Sequence, residues 1–255
     1  MISSKDNPLI KKILLNKKKG KKSKENFYLA EGERFVHEIA EKTPNLIEKL
    51  LLQDGMIKKY EKLLNSFSND KIITISDNLF NTISSTDTTQ GIAALVQRPD
   101  FKIEDLSKGN YIVIDRVQDP GNLGTIIRTA VASGVDGMLL LKGTVDIFND
   151  KVLRATMGAL HNIPIVYDLD LNDLKEFISN RELTLIKSDL EGEYWGDVDL
   201  PNRNYCLVVG NEANGISTSV QKMPGVSVKL PIYGEIESLN VAVAAGIMLY
   251  KLQSS

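Results

Sequence analysis

Cysteine, histidine and tryptophan are nearly absent from this chain: one Cys, two His and one Trp in 255 residues. A single thiol cannot close an intrachain disulfide. One cysteine and two distant histidines cannot close a metal site, so a disulfide scaffold and a zinc domain are excluded and no metal is expected. Cys206 lies inside an apolar run and reads as a buried strand thiol. Long apolar runs are lacking too. The richest, residues 241–249, is far shorter than the ~20 residues that span a bilayer, so no membrane association is expected. The polar, basic start of the chain has no signal-peptide core, which predicts an intracellular, cytoplasmic location. The hydrophobic fraction of 42% and charged fraction of 25% are those of a globular protein.

What is present begins with charge of one sign. Residues 1–24 hold nine lysines and one acid, Asp6. Lys17, Lys18, Lys19, Lys21, Lys22 and Lys24 form a run that reads either as a solvated loop or as a phosphate-contacting segment. Its single sign favours the second, an RNA-binding role with salt-dependent affinity.

Behind that run, helix and strand patterns alternate. A helix is predicted over 7–15, with Leu9, Ile10, Ile13 and Leu14 at helical spacing. Strands follow over 27–30, 46–52, 71–75 and 91–96, and helices over 33–41, 57–64 and 78–83. These make a first α/β domain over 1–98, with 99–110 as a linker carrying Pro99 and Gly109. The second domain, 111–255, has strands over 111–114, 137–141, 163–167, 184–187, 205–209 and 226–230. Its helices fall over 123–133, 149–159, 171–180 and 216–223. A last helix is expected to start near Ser238, capped by that hydroxyl, and to be buried nearly all round because 241–249 carries no charge. The fold class is α/β with a mainly parallel sheet.

In open α/β sheets, ligands sit beyond the carboxyl ends of strands. Three polar, glycine-bearing turns lie at such ends, over 115–124, 210–215 and 230–238. None has the glycine spacing of a dinucleotide fold or of a phosphate loop. His37 and His161 read as structural or surface residues. Tyr194 and Trp195 read equally as base-stacking or packing residues, and Asp115 as the start of a turn.

The turns carry three longer motifs. Asn122-Leu123-Gly124-Thr125-Ile126-Ile127-Arg128, Val209-Gly210-Asn211-Glu212-Ala213-Asn214-Gly215-Ile216, and Leu230-Pro231-Ile232-Tyr233-Gly234 with Ser238-Leu239-Asn240-Val241-Ala242 occur in that order. Together they resemble the SpoU/TrmH family of RNA ribose 2′-O-methyltransferases. Arg154–Leu160 resembles the family's intervening segment. The first domain is similar, more loosely, to the ribosomal-protein-like RNA-binding module that often precedes it. The resemblance implies a SPOUT-type trefoil knot and a homodimer whose active site is completed across the interface. It also implies S-adenosylmethionine as cofactor and structured RNA, ribosomal more than transfer RNA, as substrate. The alternative from another class is a non-catalytic RNA-binding or assembly factor on the same fold.

The resemblance assigns Gly210, Leu230, Ile232 and Leu239 to the cofactor, and Asn122, Arg128, Glu212, Ser238 and Asn240 to catalysis. Family reasoning makes Arg128 the base. Guanidinium, always protonated in proteins, is chemically better suited to stabilise a developing alkoxide and hold a phosphate. Both roles stay open at this level. Asn122 reads equally as the cap of the helix it opens, or as sharing a pocket edge with Arg128. Glu212 is expected to orient Arg128 or a ribose hydroxyl. Ser238 and Asn240 could also be simple caps of the last helix.

Overall fold

The computed structural model describes residues 1–19, 25–86 and 88–253, with Lys19 as backbone only. The chain forms two compact units. One comprises Met1–Pro99 with Phe148–His161, the other Asp100–Ile147 with Asn162–Ser255.

The first unit opens with α1 (Pro8–Lys19), which buries Ile10 and Ile13. Then come β1 (Phe27–Glu31), α2 (Glu33–Lys42), β2 (Ile47–Gln53), α3 (Glu61–Leu64), β3 (Ile72–Ile75), α4 (Asp77–Ile83) and β4 (Ile92–Gln97). The strands order as β1-β4-β2-β3, with β4 antiparallel to both of its neighbours and β2 parallel to β3. Ile10, Ile13, Phe27, Leu51, Leu79, Phe80 and Leu95 share one core. The helix expected from residue 57 starts only at Glu61, because Asp54 and Gly55, with its φ of 77°, make a turn first.

In the second unit, β5 (Tyr111–Asp115) leads through α5 (Pro120–Ser133) to β6 (Gly137–Leu141). The chain then contributes α6 (Asp150–Thr156) to the first unit. It returns for β7 (Ile165–Leu169), α7 (Leu171–Asn180), β8 (Thr184–Tyr194), β9 (Tyr205–Gly210), α8 (Thr218–Gln221), β10 (Val226–Lys229) and α9 (Val241–Gln253). All six strands are parallel, in the order β10-β8-β9-β5-β6-β7. Alternation along each strand divides the core. Tyr111, Val113, Leu139, Cys206 and Val208 pack with Leu174 and Phe177 of α7. Ile112, Ile114, Leu207 and Val209 are buried on the opposite side, where α5 and α9 pack together. Cys206 is a buried strand thiol, its ionisation pushed up by burial. No helix among the described residues is long and apolar enough to cross a membrane.

Further boundaries differ from the sequence reading. Residues 100–110 are not a free linker: Leu106 is buried in the core of the second unit, and its carbonyl accepts from Arg181 Nε at 2.6 Å. The helix over 216–223 shortens to α8, with Ser217 as its cap. Residues 148–161 belong with the first unit for a visible reason. Tyr28 stacks on Phe148 with ring centroids 5.3 Å apart, and its hydroxyl bonds His161 Nε2. Thr43 Oγ1 lies 3.0 Å from His161 Nδ1, and the Arg98 guanidinium lies 4.6 Å from the centre of the Phe148 ring.

His161 is therefore a half-buried residue with both ring nitrogens bonded inside the first unit. Burial holds its imidazole down to about 4, against a small upward pull from Glu38. Because the folded pKa is below the unfolded one, its contribution is full above about 6.5 and is lost as pH falls towards 4. We expect acidification from pH 7.5 to 5 to cost about 2 kcal/mol through this group. Urea unfolding of the wild-type chain and His161→Gln at both pH values checks it. Equal pH dependence in the two would refute the assignment.

Candidate active site

The site is built where α5 begins. Asp119 caps the helix, accepting the Asn122 backbone N–H at 2.8 Å, and Pro120 occupies the first turn. An acid cap followed by proline is a strong helix start, worth about 1 kcal/mol for the cap alone. Asn122 is thus not the cap, and its side-chain amide is available for other partners.

Those partners come from the other two motifs. Asn122 Nδ2 donates to Glu212 Oε1 at 3.0 Å, and Asn122 Oδ1 accepts from Asn240 Nδ2 at 2.9 Å. Asn240 Oδ1 in turn accepts the Ala242 and Val243 N–H groups, at 2.9 and 3.3 Å, at the start of α9. Asn240, not Ser238, therefore caps the last helix, which begins at Val241. Every amide atom in this relay has a partner that fixes which way it points.

Glu212 also accepts the backbone N–H groups of Gln118 and Asp119, both at 3.1 Å. Partial burial pushes its carboxyl up, but the Asn122 amide and the backbone donors of Glu212, Gln118 and Asp119 outweigh this and hold it below the usual range. It stays ionised as pH falls until below the ordinary carboxylate range. Glu212 thus orients Asn122 and the 118–119 backbone, and it makes no ion pair with Arg128.

The second motif is a closed loop. Asn211 and Gly215 exchange backbone hydrogen bonds of 2.9 Å in both directions, with Gly215 at φ 63°. Asn211 Oδ1 accepts from the Ala213 and Asn214 N–H groups at 3.1 Å, and Asn211 Nδ2 donates to the Arg116 carbonyl at 2.9 Å. Asp115, almost fully buried, accepts from Ser217 N and from Arg116 Nε, so the end of β5 grips the far end of this loop. A Cβ on Gly210 would lie 2.1 Å from the Gly215 carbonyl carbon, so only glycine fits there.

A cavity of about 560 Å³ lies over the carboxyl ends of the adjacent strands β8, β9 and β10. Gly210, Leu230, Ile232 and Leu239, expected at the cofactor, line it, as do Glu212, Ser238 and Asn240. Its size suits a cofactor of nucleoside dimensions. Its donor set also fits S-adenosylmethionine: apolar walls at Leu230, Leu239 and Met248, with carboxylates for a cationic ligand. Asp189, Lys229 and Glu237 line it too. Sequence reading missed Asp189 because β8 was expected to stop at residue 187, and it gave no role to Lys229 and Glu237, which lie in the expected strand 226–230 and turn 230–238.

Arg128 is not part of this wall. It lies six residues beyond Asn122, about 9 Å along the helix and a third of a turn away in angle. Asn122 does not line the cavity itself but bonds the lining residues Glu212 and Asn240, so Asn122 and Arg128 do not share one pocket edge. The Arg128 side chain is exposed and makes no hydrogen bond or ion pair among the described residues.

Of the lysine run, Lys17 is committed internally, bonding the Ile83 carbonyl and lying 3.3 Å from Glu31 and 3.7 Å from Asp150. Lys18 is exposed on α1. The side chain of Lys19, and Lys21, Lys22 and Lys24 entirely, lie outside the described residues. Trp195 is buried and packs, whereas Tyr194 is exposed beneath the Lys229 ammonium. Among the described residues no group of three His, Cys, Asp or Glu side chains could hold a metal.

Known proteins agree with this architecture. The chain is 34% identical over 241 residues to the 23S rRNA (guanosine(2553)-2′-O)-methyltransferase RlmP of Bacillus subtilis, covering 92% of each chain. It is 28% identical to the mitochondrial rRNA methyltransferase 3A of Danio rerio, over 96% of this chain and 68% of that one. The AdoMet-bound rRNA methyltransferase from Sinorhizobium meliloti superposes with a TM-score of 0.87 at 27% identity, over 99% of this chain and 97% of that one. Residues 7–94 match the MRM3-like substrate-binding domain and residues 109–250 the SpoU rRNA methylase family. The chain belongs to the SpoU rRNA methylase family, with an MRM3-like substrate-binding domain in front.

Proposed function

We propose that this chain methylates a ribose 2′-hydroxyl of ribosomal RNA, using S-adenosylmethionine. The observation that carries this reading is the relay Glu212–Asn122–Asn240, which ties all three motifs together at the rim of the cavity. The cofactor supplies an electrophilic methyl group on a sulfonium. The chain's own residues do the rest by positioning and electrostatics. Gly210, Leu230, Ile232 and Leu239 hold the cofactor, largely through backbone groups. Asn122 and Asn240, oriented by Glu212, hold the ribose, with Ser238 beside them. Arg128 holds the neighbouring phosphate and stabilises the alkoxide as the hydroxyl proton departs.

Arg128 reaches the reacting ribose from the second copy in a homodimer. Support comes from α9, where Val243, Ile247 and Tyr250 are 51%, 40% and 54% exposed. They form an apolar stripe at helical spacing on the helix that packs against α5. The expected all-round burial of α9 is thus met on one face only within a single chain. A trefoil knot fits the same region, since residues from 210–215 and 230–240 wall one cavity. A ribosomal substrate goes with a cytoplasmic location. Lys18 and the lysines that follow it contribute RNA affinity.

The test is transfer of label from S-adenosylmethionine into rRNA from a strain lacking the gene, followed by mapping of the ribose-methylated position. The first position to inspect is the guanosine that the Bacillus subtilis relative modifies. No label in RNA, with cofactor binding intact, would overturn the reading.

A further inference from the structure

The cavity carries a charge that its assigned roles do not use. Three carboxylates line it, Asp189, Glu212 and Glu237, against one cation, Lys229. Glu212 is spent on Asn122 and the 118–119 backbone. Asp189 and Glu237 have no such task, and none of the three acids forms an ion pair among the described residues.

Asp189 is held there by construction. β8 and β10 pair Lys187 with Ser227, then skip to Glu193 with Val228, so residues 188–192 bulge out of the sheet. Gly192 lets the bulge close against β10, where a Cβ would meet Ser227 and Val228 backbone atoms at 2.6 Å. Within the bulge, Asp189 accepts the Glu191 N–H at 3.1 Å, and Gln221 Nε2 lies 3.5 Å away. Both donors are neutral and leave the charge uncancelled. Glu237 enters from the 230–238 loop and makes no hydrogen bond or ion pair among the described residues. Lys229 does not compensate either of them: its ammonium sits 4.6 Å from the centre of the Tyr194 ring.

Methyl transfer changes the charge of what this cavity holds. The sulfur–methyl bond breaks with its electron pair returning to sulfur, the ribose oxygen–methyl bond forms, and the hydroxyl proton goes to solvent. S-adenosylmethionine carries one net positive charge and S-adenosylhomocysteine carries none. We infer that Asp189 and Glu237 make the cavity select for the cofactor's charge, retaining the cationic substrate form and releasing the neutral product. This rests on the cavity being the cofactor site.

A unit charge a few ångströms from a partly solvated carboxylate changes affinity by about tenfold. Calorimetry on the full chain is expected to show S-adenosylmethionine bound about tenfold more tightly than S-adenosylhomocysteine. Sinefungin, which carries an amine cation near the sulfonium position, should follow the substrate form. In the Asp189→Asn/Glu237→Gln double variant, the two cations should weaken towards the product's affinity while the product stays within twofold. Equal binding of both forms by the wild type, or parallel weakening of all three ligands in the double variant, would overturn the proposal. Glu237→Gln alone, on an exposed loop, keeps the test available if the double variant is unstable; an unchanged preference there assigns the effect to Asp189 or, with Asp189→Asn also unchanged, refutes it. Gly210→Ala is the separate control on location: if it destabilises the protein, as opening the loop requires, yet leaves all three affinities unchanged, the cavity is not the cofactor site.

Discussion

Arg128→Ala is expected to lower the rate of methyl transfer by about 10²- to 10³-fold while leaving S-adenosylmethionine affinity within about twofold. The side chain is exposed, makes no hydrogen bond or ion pair among the described residues and lies off the cavity wall. Its removal therefore costs the fold little and touches no cofactor contact. What it removes is the cation placed to meet charge that develops only as the ribose proton leaves. Such a loss appears in the chemical step and not in ground-state binding. Arg128→Lys should recover only part of the rate, since an ammonium keeps the charge but not the planar fork that matches a phosphate. Single-turnover rates at saturating cofactor and RNA check both variants. A rate within tenfold of wild type for Arg128→Ala would remove this residue from the chemistry.

Gly210→Ala should fail earlier, at cofactor binding. The added methyl would lie 2.1 Å from the Gly215 carbonyl carbon and 2.3 Å from both the Gly215 oxygen and the Ile216 nitrogen. These are backbone atoms, so no rotamer change relieves the clash, and the loop must open. Opening it breaks the Asn211–Gly215 pair and pulls Ser217 from Asp115. The expected cost is about 1–3 kcal/mol in stability. Cofactor affinity should fall by about a hundredfold, since the binding surface is the backbone that moves. Calorimetry and thermal unfolding on the same sample separate the two effects. Wild-type affinity with unchanged stability would show that the loop tolerates a side chain there.

Much of the architecture was legible because it is written in local patterns. Continuous apolar runs such as residues 111–114 and Gly137–Leu141 mark fully buried strands, and a three-to-four-residue spacing marks α2 and α7. The three motifs were legible for a related reason. Each is a contiguous stretch at a strand end, where the chemistry of a turn demands particular residue types. The resemblance of those motifs to a known family named most of the candidate site before any geometry was known, but not Asp189, Lys229 or Glu237.

Three matters were decided only in three dimensions. The antiparallel direction of β4 was one, because side-chain alternation is the same whichever way a strand runs. The transfer of residues 148–161 to the first unit was another. Tyr28, Thr43 and Arg98 hold that segment, and they lie far from it in sequence. The third was the division of labour at the site. By sequence alone, Asn122, Ser238 and Asn240 were each as plausible a helix cap as an active-site residue. The fold gave the capping of α5 to Asp119 and that of α9 to Asn240, and left Ser238 open to the cavity. A hydrogen bond between residues 118 positions apart, such as Asn240 to Asn122, has no trace in local periodicity. Sequence by itself determined which residue types stand at the strand ends. The closing of the sheet determined which of them touch, because that depends on distances the chain acquires only when it folds.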